Sequence, residues 1–119
     1  MQPAVFETLV MVTIDKFRQL ALAFPGTQVL PHFELESFRL GKKIFATFHE
    51  KTNRAMLSLS LPDEYVYCSY DASIFYPVSG GWGKKGATFV ELSKVKQTIF
   101  KEALTCAYNS IAGKSKKLP

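Results

Sequence analysis

Apolar and polar positions recur along this chain with two different periods, and the changes of period mark out its elements. Ile14, Phe17, Leu20, Ala21 and Phe24 are spaced by three and four, which predicts a helix over residues 13–24. Thr13 is placed to cap it, Asp15 sits in the first turn where the dipole favours an acid, and Pro25-Gly26 ends it. Residues 1–12 either extend this helix or form a loose arm. Residues 33–40 alternate charged and apolar positions and then change phase near Ser37, the mark of a bulge or a strand end. Gly41-Lys42 turns into a second strand, 43–49, with Ile44, Ala46 and Phe48 on one face. After a turn at 50–53, residues 54–61 show the cleanest period of two: Ala55, Leu57, Leu59 and Leu61 inward, Arg54, Met56, Ser58 and Ser60 outward.

Pro62-Asp63-Glu64 opens a short second helix, with Pro early and acids at the positive end, running to about Asp71. Residues 74–78 form a short strand, and 87–92 another, in which Thr88 and Val90 alternate with Phe89 and Glu91. Ser93 is placed to cap a long last helix, 93–112, with Val95, Ile99, Ala103, Cys106 or Ala107, and Ile111 on its core stripe. Gly113 is expected to stop it, and 113–119 to form a basic tail. The order α-β-β-β-α-β-β-α, with hairpin connections, predicts a two-layer α+β sandwich: a five-stranded antiparallel sheet with helices on one face. The 119 residues make one domain, and ten Phe among 47 % hydrophobic residues suffice for one core.

Charge changes this picture more than composition does. The net charge is +5, but residues 1–71 carry seven basic and eight acidic groups, whereas 72–119 carry eight basic and only two acidic. That asymmetry points either to a basic face or to a solubilising surface with a basic tail. No apolar run is long enough to span a bilayer, and the N-terminus lacks the basic region of a signal peptide, so the expected location is cytoplasmic, away from membrane. Cys68 and Cys106 then read as buried thiols rather than a disulfide. No CxxC and no His pair at ligand spacing exists, so neither a metal nor a cofactor is expected.

The stretch Gly80-Gly81-Trp82-Gly83-Lys84-Lys85-Gly86 holds the only Trp and four of the seven Gly. Four glycines predict a mobile surface loop. An aromatic plane beside two ammonium groups suits an anionic, stackable partner, and Lys84 and Lys85 are candidate phosphate contacts with Trp82 stacking on a base. The bland alternative is that Trp82 folds back onto the core and the lysines are only solvated. Gly81-x-Gly83-x-x-Gly86 matches the dinucleotide fingerprint in letters only, because a strand rather than a helix follows it. Lys94, and the turn lysines Lys42 and Lys43, complete the candidate basic surface, while Glu34, Glu36 and Glu50 oppose it. His32 and His49 read as isolated loop or packing residues, with no nucleophile placed against them, so an enzyme is not expected. Tyr65, Tyr67 and Tyr70 cannot all share one helix stripe, which leaves some tyrosine surface either packed on the last helix or free for a protein partner or a homodimer.

Phe24-Pro25-Gly26 after a helix, the run Ser37-Phe38-Arg39-Leu40-Gly41-Lys42-Lys43-Ile44-Phe45-Ala46, the Pro62-led helix, Tyr76-Pro77 with Trp82-Gly83-Lys84, Phe89-Val90-Glu91-Leu92 and Ala107-Tyr108 together resemble the MmcQ/YjbR family over residues 13–112. The resemblance implies a CyaY-like, secretion-chaperone-like α+β fold in a small bacterial cytoplasmic protein, with a DNA-binding label and no defined molecular role. Many members carry a His just before the loop Trp; Gly81 stands there in this chain. Two functional expectations follow: a non-enzymatic domain binding DNA weakly through the glycine-rich Trp loop, or a protein-interaction module with no nucleic-acid role.

Overall fold

The computed structural model describes residues 12–32 and 35–116; the expectations placed on residues 1–11, on Phe33 and Glu34 and on the last three residues of the tail lie outside the described residues. The elements run α1 (Ile14–Leu22), β1 (Thr27–His32), β2 (Leu35–Leu40), β3 (Lys43–His49), β4 (Arg54–Ser58), α2 (Leu61–Tyr70), β5 (Phe75–Pro77), α3 (Gly81–Lys84), β6 (Ala87–Glu91) and α4 (Gln97–Lys116). All pairings are antiparallel, in the order β1-β2-β3-β4-β6-β5. The sheet therefore has six strands, not five. The additional strand is β1, an edge strand whose Pro31, a residue tolerated in a sheet only at such an edge, hides the strand from pattern reading.

Directly paired residues share a face, so the register divides the sheet in two. One face carries Phe38, Ala46, Leu57 and Thr88, with Phe48, Ala55, Val90 and Phe75 in the next row. The helices cover it. Phe17 of α1, fully buried, lies 5.2 Å from Phe38, 5.6 Å from Phe48 and 5.3 Å from Phe100 of α4. Tyr67 of α2 packs 5.1 Å from Phe75, and its hydroxyl donates to Glu102 of α4 at 3.0 Å. Thr13 caps α1 by accepting from the Lys16 amide, and Ser60 caps α2 in the same way from Asp63. Leu61, expected at the inward end of a strand, instead begins α2 and is exposed.

Two other boundaries differ from expectation. Ser93 does not cap α4; the chain turns through residues 92–95, burying Leu92 and Val95 at the end of the sheet, and the helix starts at Gln97. Gly113 does not stop the helix, which runs on to Lys116. The phase change foreseen near Ser37 is a bulge: Phe38 pairs with Ala46 and Arg39 with Ile44, leaving Phe45 as an extra residue. Phe45 drops into the core against Phe24 and Tyr108, and Ile44 turns to the opposite face from Ala46.

Candidate functional site

The described helices reach the second face of the sheet only at one end, through Trp82 of α3 and Ile111 of α4. Two rows cross it: Leu35, His49, Arg54 and Glu91, then Ser37, Thr47, Met56, Phe89 and Tyr76. The outward positions of β4, Arg54, Met56 and Ser58, run through its centre. Between them lies a concavity of about 760 Å³. Leu35, Ile44, Thr47, Met56 and Phe89 form its largely apolar floor. Lys42, Lys43 and Trp82 line one end and His49, Thr52 and Arg54 the other.

Arg54 is held in place from two sides. Its guanidinium carbon lies 3.8 Å over the centre of the Phe89 ring, and Nη1 donates to the Tyr76 hydroxyl at 3.1 Å. That hydroxyl in turn donates to Glu91, the residue paired with Arg54 across the strands. At the same end the Thr52 amide donates to Nδ1 of His49 at 3.3 Å, closing the turn after β3.

The glycine-rich stretch is not a slack loop. Residues 81–84 form one helical turn, opened by Gly80 at φ 75°. Gly83 and Gly86 are buried, and a Cβ on either would come within 1.9 Å of a backbone oxygen, that of Val78 or of Leu59. Gly86 also has φ 109°. These glycines permit close backbone packing rather than mobility. The packed turn presents Trp82 outward, 70 % exposed, at the rim of the concavity. Lys42 and Lys43 stand on the same rim because Gly41, at φ 66°, makes the tight β2–β3 turn there.

Of the six residues singled out in the sequence, Trp82, Lys42 and Lys43 share the concavity, and Lys84 and Lys85 are exposed on the turn that carries Trp82. Lys94 stands apart: all of β6 lies between it and Trp82, and its charge acts on the Asp71 carboxylate. Glu36, counted as opposing an anionic partner, points to the helix side, where Arg18 grips both its oxygens and holds its carboxyl below the usual range. The residues the sequence did not single out are Met56, Tyr76 and Phe89. Their one legible signal was that the outward set of a strand includes apolar residues, Met56 and Phe89, where a solvated face needs none.

The chemistry of the thiols points away from nucleophilic roles. Cys68 and Cys106 are free and half-buried, and burial pushes both up from the ordinary thiol value. Among the described residues no three His, Cys, Asp or Glu side chains converge as metal ligands, and no helix is long and apolar enough to cross a membrane.

No family model matches the chain, and no curated protein matches it significantly in sequence. Among solved structures it is similar to protein DR2400 of Deinococcus radiodurans, whose crystal structure contains a domain of family DUF419. The two superpose with a TM-score of 0.74 at 17 % identity, over 91 % of this chain and 83 % of that one. Likeness at that identity establishes a shared fold: a six-stranded antiparallel α+β domain built like the DUF419 domain of DR2400.

Proposed function

We propose that this chain is a divergent member of the MmcQ/YjbR family, to which DUF419 corresponds, and that it is a non-enzymatic cytoplasmic protein that binds nucleic acid weakly through one end of the open sheet face. One observation carries the reading. The exposed Trp82 stands on a rim with Lys42 and Lys43, with Lys84 and Lys85 on its own turn, and none of the four lysines has an ion-pair partner among the described residues. Unpaired ammonium groups around an exposed aromatic plane supply phosphate contacts and base stacking together. Glu36 does not oppose this, since Arg18 already neutralises it on the far face.

Fluorescence anisotropy of labelled DNA across a salt series tests the reading. Micromolar binding is expected, with a log–log salt slope of about −2.8 for a single strand or about −3.6 for a duplex if the four lysines each meet a phosphate. The double change Lys84→Glu with Lys85→Glu is expected to abolish most of it. Absence of binding at about 50 mM salt, where non-specific contacts are strong, would rule the reading out.

A second reading, a protein-interaction module, is favoured by α2. Leu61, Tyr65, Val66 and Tyr70 are all exposed on it, Tyr65 at 74 %. Exposed apolar and tyrosine side chains of this kind are enriched at protein interfaces.

A further inference from the structure

The rim accounts for affinity to phosphates of any kind; the floor is more selective. Met56 lies between Thr47 and Phe89 in one cross-strand row, with Ile44 and Leu35 alongside. Such a floor has nothing to gain from phosphates. Its cations stand at the two ends instead, Arg54 at one and Lys42 with Lys43 at the other. Four residue steps of β4, from Arg54 to Ser58, separate those ends by roughly 13 Å at the usual rise of a strand. The Arg54 guanidinium sits over the Phe89 ring and is fixed there by Tyr76, so a cation and an aromatic ring are held together at that end of the floor.

We propose that this face takes an unpaired stretch of nucleic acid in preference to a duplex. Its bases lie on Met56, the Arg54–Phe89 pair and Trp82, and its phosphates run to the two cationic ends. The proposal rests on the nucleic-acid reading above and names the form of the ligand. A duplex keeps its bases stacked inside and offers phosphates outward, which would leave the apolar floor without a partner. A single strand offers both a ring face and a charge at each step, the two chemistries that the floor and ends display.

Trp82 is the only Trp, so its emission reports directly on the rim. The whole chain is titrated at low salt with a short labelled thymidine oligonucleotide and with a duplex of the same length. The single strand is expected to bind about tenfold more tightly and to quench Trp82, in keeping with stacking energies per base. Met56→Glu is expected to lower single-strand affinity about tenfold and duplex affinity by a clearly smaller factor, since its charge repels phosphates of either form while the lost floor contact touches only the single strand. Trp82→Ala, at a side chain with little packing to lose, is expected to weaken the single strand several-fold and guards against misfolding of the first variant. Equal affinity for both forms, or single-strand binding indifferent to both variants, overturns the proposal and leaves the nucleic-acid reading standing. No binding of either form removes both. A dimer that Met56→Glu dissociates would mean that a second copy occupies the face, which also overturns it.

Discussion

Gly83 and Gly86 decide where Trp82 can be. Each lets backbone pass where any Cβ would collide with a carbonyl oxygen, and Gly86 adds a φ that side chains rarely adopt. Gly113, by contrast, sits inside α4 with open space where a Cβ would go. The two sites therefore predict opposite signs for the same substitution. Gly86→Ala should destabilise the fold by about 2 kcal/mol or more, and Gly113→Ala should stabilise it by roughly 0.5–1 kcal/mol, both read from denaturant midpoints. The sequence showed that this stretch was special but not why. Glycine content marks a position where a side chain is not wanted, and only the neighbouring backbone of Val78 and Leu59 says whether the cause is freedom or contact. The same holds at Ser93, a good cap by type that the burial of Leu92 and Val95 turned into part of a bend.

Elements with a clear period were legible: α1 with its Thr13 cap, β3, β4 and the Pro62-led α2 all lie close to where pattern placed them. β1 was lost because Pro31 argues against a strand except at an edge, and edge position is a tertiary fact. The bulge at Phe45 was legible as a phase change but not in its consequence, the turning of Ile44 to the open face. α1 is tied to β2 by the Arg18–Glu36 fork, which holds the Glu36 carboxyl below its unfolded value of about 4.3. A depressed carboxylate stabilises the fold above its unfolded pKa, and the contribution is lost as pH falls through the lower folded value. Glu36→Gln should thus cost about 0.5–1 kcal/mol at neutral pH, discounted for partial exposure, and the gap from the parent should close as the pH drops below about 4. Acid-titrated unfolding curves of the two proteins check this. On α2, Tyr65→Ser with Val66→Ser should leave the melting point nearly unchanged, since both side chains are exposed. If the protein-partner reading holds for a second copy, the parent should self-associate in sedimentation, insensitive to salt, and the double variant should stay monomeric.

At the scale of the molecule, one sheet face is packed and the other is open, and that asymmetry organises everything the site can do. The sequence could not show it, because Met56 and Phe89 alternate with core positions without revealing that β4 and β6 pair them directly. It did reveal Trp82, Lys42 and Lys43 individually, and the charge imbalance toward the C-terminal part, but it placed Lys94 with Lys84 when the length of β6 separates them. Expected binding is correspondingly local: a salt slope set by the four lysines near Trp82, not by the whole charge of +5. The two outermost strands of the described sheet bear on a different matter. β1 holds the exposed Val29 and Leu30, an inviting template for a strand from another molecule, yet Pro31 breaks its row of donors; β5 at the other edge is three residues long and ends in Pro77. Both borders of the folded sheet therefore resist edge-to-edge growth, which turns association between folded copies toward the faces.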